Sequence, residues 1–142
     1  MKKLCISLSL FLLMLGSLIL NSAVLAEAAS APTKLWVEPS DTNGIPAQID
    51  VFKMRTGGTN TNPTYTYQLY LPGNVNAGNC TLSWNDDAQA TVDGKSYDSG
   101  SCPIPPVNTQ KTYTFKSGNT TLASYNIITY QGSPSVQPVF IV

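Results

Sequence analysis

Three sets of residues carry whatever chemistry this chain could do. Asp86, Asp87, Asp93 and Asp98 place four carboxylates within a short stretch. Several such oxygens hold a hard cation like calcium, but this spacing matches no EF-hand loop. Aspartate also initiates turns by bonding its own backbone, which accounts for all four equally well. No metal or cofactor is therefore assigned, and these residues stand only as candidate calcium ligands. Nothing around them suggests the cleft that a paired-carboxylate hydrolase needs.

The second set is aromatic: Trp36, Tyr70, Tyr97 and Tyr130. Trp36 is out of phase with Leu35 and Val37, and Tyr70 is out of phase with Leu69 and Leu71. In a strand this puts each ring on the face opposite the core, where a neighbouring loop covers it or, if the face is open, it can stack on a sugar or dock on a protein. Trp84, in phase with Cys80 and Leu82, belongs to the core instead. The third set is Cys80 with Cys102, which the exported context below marks as one disulfide. Closing a loop of about 20 residues would stabilise the fold by about 3 kcal/mol on the chain-entropy account. A thiol-based active site has no support, since there is no CxxC and no histidine anywhere. Losing histidine also removes the commonest general base and neutral metal ligand.

The export reading comes from the start of the chain. Met1-Lys2-Lys3 precedes an apolar run from Leu4 to Leu20, and Val24-Leu25-Ala26 supplies small residues before Glu27. These are the three parts of a cleaved secretory signal, expected over residues 1–26. Cys5 lies near the start of the apolar run and is discarded with it, so it is not a lipidated cysteine at the cleavage point. Cleavage leaves 116 of the 142 residues, with six basic side chains against eight acidic ones. That length suits one domain with a real core. The mildly acidic balance, with no basic cluster, speaks against nucleic acid as a partner. Contact with a membrane is expected only through the transient signal.

Residues 27–33 are small and polar and read as a flexible lead-in, followed by a single domain over 34–142. From Lys34 onward apolar residues recur at every second position, the mark of half-buried strands. Tyr65, Tyr67, Leu69 and Leu71 face one way, with Thr64, Thr66 and Gln68 the other. Strands are expected at 34–38, 47–54, 64–71, 80–85, 88–92, 95–98, 112–116 and 120–130, with a ninth at 136–142. Asp93-Gly94 is a strong hairpin signal, because both residues accept positive φ. Pro103, Pro105 and Pro106 cannot donate to a ladder and mark a loop after Cys102. Many short strands separated by turns predict an all-β, antiparallel β-sandwich with an immunoglobulin-like, Greek-key arrangement, and a small β-barrel as the alternative.

Asn62-Pro63-Thr64 resembles the first loop of chagasin-like inhibitors of cysteine proteases, which are exported immunoglobulin-like domains. Tyr65-Thr66-Tyr67 departs from that family's pattern, and its Gly-rich second loop and Arg-Pro-Trp third loop do not follow. The signal, the paired cysteines and the β composition resemble chaperone–usher pilins. Their first cysteine lies nearer the mature N-terminus, and the pattern of their closing strand is not reproduced. Neither resemblance assigns a site.

The expected role is thus a non-enzymatic binding or structural module, secreted to the periplasm or the extracellular space. It would recognise protein or carbohydrate at a surface, as in adhesion. Two alternatives have their own sequence features. The apolar run Val139-Phe140-Ile141-Val142 suits a pilin-like or matrix subunit that self-assembles by strand pairing. The segment Cys102–Pro106 suits the presented loop of a secreted protease inhibitor.

Overall fold

A computed structural model describes residues 28–132. The secretion signal expected over 1–26 and the strand expected at 136–142 lie outside them. Nine strands form: β1 (Leu35–Pro39), β2 (Ile49–Gly58), β3 (Pro63–Leu71), β4 (Cys80–Trp84), β5 (Gln89–Val92), β6 (Lys95–Tyr97), β7 (Cys102–Pro103), β8 (Gln110–Ser117) and β9 (Thr120–Gln131). A single 3-10 turn, Ala77–Asn79, precedes β4, capped by the Asn76 side chain on Gly78 N–H.

The period-two pattern decides which face each strand buries. Leu35 and Val37 are buried on β1, Leu69 and Leu71 on β3, Leu82 and Trp84 on β4, and Tyr113 and Phe115 on β8. Full burial of side chains this size is worth about 1.5–3 kcal/mol each. Asp93-Gly94 makes the β5–β6 hairpin with φ of 51° and 76°, the conformation a two-residue primed turn demands.

All nine strands belong to one sheet, ordered β6-β5-β8-β9-β3-β2-β1-β4-β7. Its two ends curl over a shared core. Four strands separate β4 from β8 in that order, yet the Trp84 and Phe115 rings meet edge to face, 5.2 Å apart. Tyr113 on β8 donates its hydroxyl to the Pro103 carbonyl on β7, at 2.9 Å. The sheet is therefore barrel-like and nearly closed, which fits the alternative expectation better than two immunoglobulin-like packed sheets.

Wholly antiparallel pairing is also corrected, because β3 and β9 run parallel, from Tyr67 beside Ile127 to Leu71 beside Gln131. The two strands begin at the tips of separate hairpins, β2–β3 and β8–β9, and meet only through their C-terminal halves. The proline segment is likewise not all loop. Thr81 and Leu82 pair with Pro103 and Cys102, making β7 a short edge strand where proline's missing N–H does no harm.

The end of the lead-in is anchored. Pro32 is buried and its carbonyl accepts the Tyr125 hydroxyl at 2.9 Å, while the Asn85 side chain accepts from Thr33 and Lys34 N–H. That anchorage sets where β1 starts. It also draws Lys34 toward β4 and away from β2, a separation that matters below.

Candidate functional site

The alternation that fills the core also builds an opposite, outer face. On β2, Val51 is buried while Phe52 is 38 % and Met54 43 % exposed. Trp36, between buried Leu35 and Val37, is half-buried on that outer face, and its register partner across the ladder is Asp50. The β2–β3 register, with Val51 opposite Leu69, carries Asp50 one step on to the level of Tyr70. Tyr70 in turn pairs with Tyr130 across the parallel ladder.

Trp36, Asp50, Tyr70 and Tyr130 thus form one row across β1, β2, β3 and β9. Three strand spacings make it about 14 Å long. The neighbouring row holds Phe52, Gln68 and Ile128.

Local contacts fix the orientation of these groups. Tyr70 and Tyr130 stack with centroids 5.2 Å apart and planes 23° from parallel, and Tyr70 donates its hydroxyl to Gln68 Oε1 at 2.8 Å. Trp36 donates Nε1–H to Glu38 Oε1 at 2.8 Å, and Gln48 donates to Asp50 Oδ1 at 3.0 Å. Gln131 reaches back to the Val75 carbonyl at 2.6 Å, holding the end of β9 against the loop after β3. The result is an aromatic row edged with amides and carboxylates on paired strands, in which Tyr70 and Tyr130 stack on each other.

The structure brings together three of the four aromatic candidates, Trp36, Tyr70 and Tyr130. Tyr97 is elsewhere. It pairs with fully buried Ala90 on β5, so its ring leans on the core at the far edge of the sheet. The phase of so short a strand could not be read without its partner. Phe52 and Ile128 were missed because both phases of their strands carry apolar residues, leaving the period-two signal no preferred face. Trp84 is core as expected, its indole N–H donated to the Ala88 carbonyl at 2.8 Å.

The expected disulfide does not form: Cys80 and Cys102 are both free, buried thiols. The β4–β7 register sets Cys102 opposite Leu82, so Cys80 sits one diagonal step away on the same face. Diagonal neighbours lie about 7–8 Å apart, beyond the span of about 4.4–6.8 Å between Cα atoms that a disulfide tolerates. Each sulfur contacts a carbonyl instead, Cys80 at Asn76 and Cys102 at Pro103. Burial raises both thiol pKa values, that of Cys102 to about 12. These are inert core groups.

The aspartates do not converge. Asp93 pairs with Lys111, Asp98 accepts from Gln89, and Asp86 accepts from Asn85. Positive φ at Asp86 and Asp93 shows them shaping turns. Among the described residues no three His, Cys, Asp or Glu side chains are grouped to hold a metal. The Cys102–Pro106 segment buries Cys102, Ile104 and Pro105 and leaves Pro103 and Pro106 exposed.

No family of known proteins, no curated protein and no solved structure matches this chain.

Proposed function

We propose that this chain is an exported, non-enzymatic module that binds carbohydrate on the outer face of β1, β2, β3 and β9. The observation behind this reading is the row of Trp36, Tyr70 and Tyr130 with Asp50 between, held in register by strand pairing. A sugar ring offers an apolar C–H face and a rim of hydroxyls. Fixed aromatic faces match the first, and the side chains of Gln68, Asp50 and Glu38 match the second. A row on rigid strands loses little entropy when a ligand settles on it. The secretion signal would bring this surface to the cell exterior or the periplasm, where polysaccharides are met.

Affinity electrophoresis of the mature protein through gels containing soluble polysaccharides tests the reading. Retardation by at least one polymer is expected, with about tenfold weaker binding for Trp36→Ala or Tyr130→Ala at unchanged far-UV circular dichroism. Retardation that both variants leave untouched would remove this face from the account. A protein ligand would appear as no retardation by any polymer.

A further inference from the structure

We infer that the glycan is acidic, a polyuronate whose carboxylates are met by Lys34 and Lys53. The inference rests on the carbohydrate reading and adds a chemical class to it. A cleft of about 280 Å³ opens beside the Trp36 end of the row, lined by Lys34, Leu35, Asp50, Val51, Lys53 and Tyr67 among others.

The cleft exists because β1 and β2 part company. Their pairing stops at Trp36 and Asp50, where Lys34 N–H turns to the Asn85 side chain at 2.7 Å and the Lys34 carbonyl accepts Asn85 N–H. Strand β2 continues along β3 to Gly58. One lysine is left on each lip of the gap, Lys34 on the β1 side and Lys53 on the β2 side.

Both ammonium groups are already steered by aromatic rings. Lys34 Nζ lies 5.7 Å from the Trp36 ring centroid, and Lys53 Nζ lies 4.4 Å from that of Tyr65. Among the described residues neither forms an ion pair, whereas Lys111 is paired with Asp93. Asp50, the acid in the cleft, accepts a hydrogen bond from Gln48. Arg55, the next cation along β2, is committed to its own hairpin through Gly57, Gly58 and Asn60.

So a chain that is mildly acidic after export sets Lys34 on the face of its aromatic row and Lys53 across the gap on the face of Val51, with Leu35 and Val51 as an apolar floor between them. A sugar ring stacked at Trp36 brings a ring carboxylate within reach of Lys34, and a neighbouring unit in the cleft brings another to Lys53. A neutral glycan would use the rings and leave both lysines idle.

The test compares polygalacturonate and alginate with their methyl esters, which keep the backbone and lose the charge. Binding to the mature protein is measured by isothermal titration, with polyglutamate as a charged polymer lacking sugar rings. One acid polymer should bind about tenfold or more tightly than its ester, and K34Q/K53Q should bring the acid form down to the level of the ester. Both lysines are exposed, so the double variant should keep the wild-type circular dichroism spectrum.

Equal binding of acid and ester, indifferent to K34Q/K53Q, would overturn the acidic assignment and leave the carbohydrate reading standing. Binding of neutral polysaccharides alone would do the same. Polyglutamate binding as tightly as the polyuronates would overturn it in favour of an acidic protein ligand. No binding to any of these polymers or to neutral polysaccharides would remove both readings.

Discussion

The two long hairpins of the sheet, β8–β9 and β2–β3, are built alike and used differently. Behind β8–β9 lies the core: Tyr113, Phe115 and Ile127 are fully buried, and Phe115 meets both Trp84 and Tyr125. The β2–β3 ribbon has that backing through Val51, Tyr67, Leu69 and Leu71, and its tip has none. Beyond Val51 every residue of β2 is exposed, and the tip is held by Arg55 hydrogen bonds and a bulge between Arg55 and Gly57.

In the proposed account stability rests on the inner phase of the strands and recognition on the outer phase, where Tyr130 of β9 joins Trp36 of β1 and Tyr70 of β3. Where the core backs a strand, one phase of its alternation is spent on packing and the other faces outward. Where it does not, the same alternation leaves rings and cations in solvent, set at strand spacing. The edge lysine and the bulge on β2 also discourage pairing with another copy, as expected of an exposed edge.

The largest effect that would break this contrast belongs to the core ribbon. Phe115→Ala should cost about 3–5 kcal/mol, because the fully buried ring packs on Trp84 and Tyr125 and its loss leaves a cavity. Urea unfolding checks this, and a loss comparable to that of a surface variant would mean the ends of the sheet do not meet as described.

Alkali should act on the same region. Burial holds Cys102 protonated up to about pH 12 against an ordinary 9.0, and it pushes the Tyr113 phenol up as well. Above pH 9 the unfolded chain releases thiol protons that the folded chain keeps. Stability is therefore complete below about pH 9 and falls between pH 9 and 12, which melting across that range would follow. The two thiols should also resist iodoacetamide until the chain unfolds. A purified protein short of two hydrogens by mass would show a disulfide in their place.

A smaller effect is expected at the β2–β3 tip. Gly58 has φ of +78°, and a Cβ there would sit 2.2 Å from the Asn62 carbonyl oxygen. Gly58→Ala should cost about 1–3 kcal/mol through backbone strain and should unsettle the tip without touching the core. Proteolysis confined to residues 57–62 would show this, and global unfolding would make the tip part of the core after all. Smallest of all should be the outer row. Trp36→Ala should lower stability by less than about 1.5 kcal/mol in thermal melting while abolishing most binding. A loss as large as that from Phe115→Ala would assign Trp36 to packing and erase the division between inner and outer phases.

Much of this was legible in residue order wherever a single strand carries the information. The phases of Leu35, Trp36 and Val37, and of Leu69, Tyr70 and Leu71, correctly put Trp36 and Tyr70 on the outer face. The turn at Asp93-Gly94 was legible because its backbone requirement is local.

Relations between strands far apart in the chain were not. Nothing in Tyr67–Leu71 or Ile127–Gln131 announces that they lie side by side and parallel, since that pairing depends on where two separate hairpins come to rest. The spacing of Cys80 and Cys102 likewise says that their loop can close, but not that Cys102 stops level with Leu82. The strand expected to end at 54 runs on to Gly58, because the bulge after Arg55 lets the ladder with β3 continue. The cleft between Lys34 and Lys53 depends on Asn85 drawing Lys34 aside, a contact across about fifty residues that no local pattern encodes.

The most direct measurement follows the two indole N–H signals of the mature protein by nuclear magnetic resonance during titration with the polysaccharide that binds. Trp36 donates to Glu38 on the outer face, whereas Trp84 donates to Ala88 inside the core. The signal of Trp36 should move with added ligand and saturate, while that of Trp84 stays in place. Two unmoved signals, or a shift confined to Trp84, would contradict recognition through the outer row.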